Sequence, residues 1–244
     1  MITSIASGKG GTAKSSTATN LSYYYSQLNQ KVLLLDLDWG MSDTFYFFNI
    51  QPAFSIYDYL YKEVLWDQLK YKVNKNLDLI IAGQGKKEIA NITEENKLKV
   101  CQEIKKQIEL YDIIIFDTAP GIHNNVTDFL KISNQIVVIV NEDLSSIADG
   151  YNLIKILVGD KVMSDIFILV AKSSNSKNAY DIYQRMRKVC NKYLNFTPKY
   201  LGNIDYSMLV QKAFAKQTIF MDQYRHTHIG KQIQAVGESL WLMG

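Results

Sequence analysis

A doubly wound, mostly parallel sheet flanked by helices is the α/β fold class this sequence predicts, and three observations predict it. Short, nearly unbroken apolar runs recur along the chain, as strands buried on both faces require. Segments with helical spacing separate them, so the order reads as repeated βαβ. The polar, glycine-rich stretches fall where apolar runs end, which is the edge at which such sheets place their ligands.

The apolar runs are Ile2 to Ser7, Val32 to Asp38, Leu77 to Gly83, Ile113 to Asp117, Ile136 to Asn141 and Ile166 to Ala171. Between the first two, Ala18, Leu21, Tyr25 and Leu28 fall at helical spacing. Ile182, Tyr183, Met186, Val189, Cys190, Tyr193 and Leu194 do the same after the sixth, and both stripes predict the core faces of crossover helices. With 244 residues, 47% of them hydrophobic and 21% charged, the chain has material for one large core, and residues 1–244 are expected to form a single domain. Three prolines, no like-charge block and no internal repeat leave no linker at which to divide it.

The net charge of +3 comes without a concentrated basic stripe, which argues against DNA as a partner. The two cysteines, Cys101 and Cys190, lie far apart in helical segments and read as small buried hydrophobes rather than redox or metal groups. No uncharged apolar run of about 18 residues occurs and the N-terminus lacks the pattern of a signal peptide, so a cytoplasmic protein is expected.

The first run passes directly into Ser7-Gly8-Lys9-Gly10-Gly11-Thr12-Ala13-Lys14-Ser15-Ser16 and then a helix. This is a phosphate-binding loop in its required context, and Gly8 through Ser16 are the candidate nucleotide-binding residues. Glycines let successive N–H groups curl around phosphates, the helix N-terminus adds positive potential, Lys14 neutralises β and γ oxygens, and the Ser15 hydroxyl reaches Mg²⁺. The ligand so implied is ATP with Mg²⁺. The second run ends Leu35-Asp36-Leu37-Asp38, whose two carboxylates point the same way from a strand. Asp36 and Asp38 are candidates to hold metal-bound water, and Asp38 to orient the attacking water; helix caps or solvent contacts are the bland alternative. The run from Tyr111 delivers Asp117, a candidate acceptor for a magnesium-bound water, followed by Thr118-Ala119-Pro120-Gly121. Gly121 would let a switch segment respond to a γ-phosphate. Asp112 reads as a solvated residue before the strand, and His123 as a surface imidazole more than a general base.

Lys9 adds specificity, because phosphate loops do not ordinarily need a second lysine there. With it the chain resembles the MinD/ParA family of deviant Walker A P-loop ATPases, whose KGGxGK[ST] pattern it nearly reproduces. The resemblance implies an ATP-dependent homodimer in which Lys9 reaches the partner's nucleotide, with slow hydrolysis relying on Lys9, Lys14 and Asp38. Gln84-Gly85 with Glu88 to Glu95, Gly121-Ile122 with Val126 and Phe129, and Ser145 to Lys155 resemble the flagellar-number regulators of FlhG/FleN type. Tyr200 to Ala213 fits that branch loosely. The branch implies control of the position or number of a cellular machine, flagella above all, with a flagellar GTPase or basal-body component as protein partner.

Several positions depart from the pattern. Ala13 stands where the loop has glycine; a positive φ there would cost alanine on the order of 1 to 2 kcal/mol. Ala171 aligns with the branch's adenine-facing asparagine, and Asp205 stands where proline is usual. These leave open a nucleotide-weak scaffold of the same fold, and a partition-type DNA-binding ATPase is a further alternative. An iron–sulfur reductase is disfavoured because Cys101 and Cys190 lack its ligand pattern. The sequence begins at its first strand, without the extension by which this branch contacts its GTPase, so stimulation of such a partner is not expected. Ile233, Val236, Leu240 and Trp241 predict a final helix packed on the domain, preferred over a peripheral anchor at the inner membrane because the segment has one lysine and includes Gly237 and Glu238. The tyrosines of 23–25 and 57–61 read as core edges, with a protein interface as the alternative.

Overall fold

The structure, a computed structural model, describes residues 1–83, 85 and 92–243. Gln84 and Glu88 to Asn91, quoted above for the branch resemblance, lie outside the described residues. Eight strands form one sheet: β1 (Ile2–Ala6), β2 (Val32–Leu37), β3 (Tyr71–Asn74), β4 (Leu77–Ile81), β5 (Ile113–Thr118), β6 (Gln135–Val140), β7 (Asp165–Ser173) and β8 (Lys199–Asp205). Their order is β3-β4-β2-β5-β1-β6-β7-β8. Every neighbouring pair is parallel except β3 with β4. The six apolar runs of the sequence are the six inner strands, β1, β2, β4, β5, β6 and β7.

The helices are α1 (Lys14–Gln27), α2 (Thr44–Phe47), α3 (Ile56–Tyr61), α4 (Glu94–Gln107), α5 (Asn124–Leu130), α6 (Leu144–Gly159), α7 (Ser176–Leu194), α8 (Met208–Ala215), α9 (Phe220–Tyr224) and α10 (His228–Leu242). Side chains alternate along each strand, so the sheet has two apolar faces. On one, Ile5, Leu34, Ile115, Val137 and Phe167 pack against Leu21 and Tyr25 of α1 and Ile233 and Val236 of α10. On the other, Leu33, Ile114 and Phe116 meet Val100 and Ile104 of α4, while Val138, Ile168 and Val170 meet Leu153 of α6 and Met186 of α7. Burying both faces removes the strands from water by the non-directional force that dominates folding.

Most positions of the expected stripes are borne out, and a few lie outside the core. Ala18, Leu21 and Tyr25 are buried, whereas Leu28, the C-cap of α1, is exposed. Ile182, Tyr183, Met186 and Cys190 are buried, whereas Val189 and Tyr193 are exposed. The final helix packs on the sheet as expected: Tyr25 Oη donates to the Gly237 carbonyl at 2.7 Å, and Gln135 Nε2 to that of Leu240 at 3.0 Å. Tyr23 and Tyr24 border the same helices, donating to Asp222 and Glu238. Among the described residues no helix is long and apolar enough to cross a membrane.

Candidate functional site

Four inner strands, β2, β5, β1 and β6, run side by side and release their loops at one edge. The loop after β1 curls over residues 7–13 and enters α1 at Lys14. Two local features give it its shape. A Cβ on Gly8 would collide with the Asp149 backbone, so this position lets the loop sit directly on α6. Ala13 is the N-cap of α1 in a left-handed conformation, φ 78 and ψ 25, and its carbonyl accepts the first helical bond from Thr17 N at 2.9 Å. The positive φ that the sequence made conditional is therefore real, and the methyl group bears its strain.

Lys14 is buried. Burial lowers its pKa, while the charges of Asp117, Asp38, Asp43 and Asp36, in that order, raise it again. One carboxylate oxygen each from Asp36, Asp43 and Asp117 lie within 4.8 Å of one another. The Ser15 hydroxyl lies beside this group, close enough to favour the charged forms of Asp43 and Asp117. Burial pushes Asp36 up to about 6 and Asp117 well above the ordinary carboxylate range, the latter helped by the charge of Asp36. Asp43 keeps an exposed side yet is also pushed up, chiefly by burial of its carboxyl group against the cluster and then by the charge of Asp38.

The two aspartates of the second strand separate in role. Asp36 is wholly buried and accepts from Asp38 N at 3.0 Å, Asp43 N at 3.0 Å, Thr44 N at 3.1 Å and Thr44 Oγ1 at 2.8 Å. It thereby curls residues 38–44 back over the site. Asp38 Oδ1 caps the turn it starts, accepting from Gly40 N at 3.2 Å and Met41 N at 3.1 Å. Asp38 lies outside the three-carboxylate group; Asp43, which sequence reasoning missed, lies inside it. Nothing in the spacing of Asp43 marked it, because only the curl drawn by Asp36 brings it home.

Asp117 ends β5 beside the loop. Its Oδ1 is buried without a hydrogen-bond partner, as is Thr12 Oγ1. Gly121, at φ 101, donates its N–H to the Ser7 carbonyl at 2.9 Å, tying the expected switch segment to the start of the phosphate loop. His123, exposed, is the N-cap of α5. Lys9 Nζ lies 2.8 Å from Asp143 Oδ1 and 2.8 Å from Ser145 Oγ, at the start of α6. The bond from Lys9 is the largest influence holding the Asp143 carboxyl well below its usual range.

Ala171, which the sequence aligned with an adenine-facing asparagine, lies near the end of β7. It is buried in the apolar core of the sheet. The ladder of β7 with β8 is irregular between Ala171 and Ser173, and it is Lys172 whose Nζ reaches the Gly11 carbonyl, at 2.7 Å. Asp205 accepts from Ser173, Asn203 and His228 at the neighbouring strand end.

Hard oxygen donors clustered around an orphaned buried carboxylate oxygen, beside a buried ammonium and a helix N-terminus, fit a divalent cation and a polyphosphate. The family model described as an AAA domain matches residues 1–166. Antiactivator FleN of Pseudomonas aeruginosa is 22% identical over 239 residues, covering 98% of this chain and 85% of that protein. Flagellum site-determining protein YlxH of Helicobacter pylori is 27% identical over 216 residues, covering 88% and 73%. The crystal structure of the cell division ATPase MinD of Pyrococcus furiosus superposes with a TM-score of 0.80 at 18% identity, covering 100% and 99% of the two chains.

Proposed function

The chain belongs to the AAA-domain family, in its MinD/ParA division and close to the flagellar-number regulators of FlhG/FleN type, and from that premise we propose that it is a slow ATPase switch. The observation that carries this reading is the buried Lys14 among the carboxylates of Asp36, Asp43 and Asp117, with Asp117 Oδ1 unsatisfied. That charge arrangement is completed by phosphates and a divalent cation.

When bound, Mg·ATP supplies the electrophilic phosphorus and the divalent charge. The residues of the chain then bind and orient. Lys14 neutralises the β and γ oxygens, and the N–H groups of Gly8 to Ser16 hold the phosphates. Ser15 and Asp117, with Asp36 and Asp43 beside them, would hold the divalent cation. Asp38 orients the attacking water while its Oδ1 keeps the turn of Gly40 and Met41 in place. Such positioning and charge stabilisation is most of what phosphoryl transfer asks of a protein.

A homodimer formed with ATP is part of the proposal. Met41 and Ile122, on the loops after β2 and β5, and Leu144, at the start of α6 after β6, are exposed apolar residues around the site. Lys9 is held locally by an exposed ion pair to Asp143 and a hydrogen bond to the Ser145 hydroxyl, and exposed pairs contribute about 1 kcal/mol or less, so its release toward a second nucleotide costs little. The similarity to proteins named for flagellar site determination and antiactivation supports control of flagellar position or number through a protein partner, from a cytoplasmic single domain of residues 1–244.

Calorimetry with Mg·ATP, run beside light scattering on a sizing column with ATP, ADP or neither, tests this. Expected are ATP binding and a shift to dimer with ATP only, binding lost in Lys14→Ala, and binding kept but dimer lost in Lys9→Ala. A chain that ignores ATP in both measurements is instead a scaffold that has kept the fold.

A further inference from the structure

We propose that Lys172 is a positioning residue of the phosphate loop, fixing and polarising the Gly11–Thr12 peptide from outside; the proposal rests on the nucleotide site described above. Lys172 has a left-handed backbone, φ 55, a conformation that costs a residue with a Cβ about 1 kcal/mol. Its neighbours hold it there. Ser173 Oγ donates to Asp205 Oδ1 at 2.7 Å, and the Ser173 carbonyl accepts from Tyr206 N at 2.9 Å. Ser174 N and Oγ donate to Glu142 Oε1 at 2.7 and 2.8 Å. With the ladder broken between Ala171 and Ser173, Lys172 turns out of the strand and places its Nζ 2.7 Å from the Gly11 carbonyl oxygen. A strained conformation pinned from its next residues onward, ending in an ammonium on the phosphate loop, is the kind of outlier from which function is inferred.

The chemistry follows from which atoms share a peptide. The Gly11 carbonyl and the Thr12 N–H belong to one planar group, so holding the oxygen outward holds the N–H on the opposite side. A loop that presents N–H groups to an anion must turn its carbonyls away from it, and each then needs a partner. Gly11, at φ 74, has a backbone in which glycine moves easily, so the peptide needs an external anchor. The ammonium supplies one, and a charge-assisted bond to the oxygen strengthens the N–H as a donor.

The test is the affinity of Mg·ATP and of Mg·ADP for the unaltered chain and for Lys172→Met, Lys172→Arg and Lys14→Ala, with the melting temperature of each. Lys172→Met should weaken both nucleotides about tenfold, the size of one charge-assisted hydrogen bond. Both should fall together, because loop N–H groups cradle the α and β phosphates. Melting temperature should be unchanged, and Lys172→Arg should recover most of the affinity. Unaltered binding in Lys172→Met, beside loss in Lys14→Ala, overturns the role of Lys172 and leaves the ATP reading standing. A loss confined to ATP, or one that tracks a fall in melting temperature and is not recovered by arginine, overturns it as well. If the unaltered chain binds neither nucleotide, the ATP reading fails and this proposal fails with it.

Discussion

Ala13 shows how a single methyl group can tax the fold without touching the ligand. The folded chain itself holds the residue at φ 78, with its carbonyl engaged by Thr17 N, so the strain weighs on folding more than on binding. Ala13→Gly should relieve about 1 kcal/mol of strain, partly offset by the roughly 0.5 kcal/mol of extra chain entropy that glycine loses. The expected outcome is a melting temperature higher by about 2 °C, with nucleotide affinity unchanged. A large gain in affinity without any thermal gain would show that the strain is borne on binding. Residues of this site were legible wherever their role follows from standing at the end of a strand or the start of a helix: Lys14, Ser15 and Asp117 were all found that way. Asp43 was not, because a fold-back drawn by four hydrogen bonds to Asp36 places it. Lys172 was not singled out, because a strand irregularity turns it toward the loop, and irregularities leave no mark in an apolar run. Asp43→Asn should remove one like charge from the carboxylate group, raising the melting temperature while weakening the Mg²⁺ dependence of nucleotide binding. A titration of nucleotide affinity against Mg²⁺ checks it.

Between elements, the decisive contact is the seating of the phosphate loop on α6. A methyl group at Gly8 would meet the Asp149 carbonyl group and Cβ, none of which can rotate away as the far end of a flexible side chain can. Gly8→Ala should therefore cost about 1 to 3 kcal/mol and lift the loop from α6, so that thermal stability and nucleotide binding fall together. Retained binding with an unchanged melting temperature would mean that α6 yields instead. The final helix makes the complementary case for what an apolar stripe can reveal. Ile233, Val236 and Leu240 of the expected stripe are buried and Gly237 admits the Tyr24 ring, while Trp241, expected with them, is exposed, so spacing seated α10 on the sheet but overran its buried face by one residue. The two edge strands β3 and β8 lacked that signal. Tyr71 to Asn74 is nowhere fully buried, and β8 carries Gly202 in its middle with only Leu201 buried along it. A strand with one neighbour needs no continuous apolar run, which is why the inner six were readable and the outer two were not.

At the scale of the whole molecule, the doubly wound order gathers acidic groups from two adjacent strand ends and one returning loop into a single low-dielectric site, and this has a consequence for stability. Asp36 is held up at about 6, Asp117 is raised further, and Asp43 is raised in the same direction. In the unfolded chain these carboxyls titrate near 4. Between roughly pH 4 and pH 6 the native state therefore binds more protons than the unfolded one, so this cluster makes stability fall as pH rises through that window, and further up for Asp117. Asp58, Asp143 and Asp205, held low, act oppositely, but their contribution is lost only as pH falls below the ordinary carboxylate range. The chain without added metal or nucleotide should then melt at a higher temperature at pH 5.5 than at pH 7.5. A divalent cation and phosphates bound at the same oxygens replace those protons, so Mg·ATP should raise the melting temperature more at pH 7.5 than at pH 5.5. Calorimetric scans at the two pH values, with and without Mg·ATP, decide it: a melting temperature that rises from pH 5.5 to 7.5 in the absence of ligand would mean that the three carboxylates are not crowded as the fold places them.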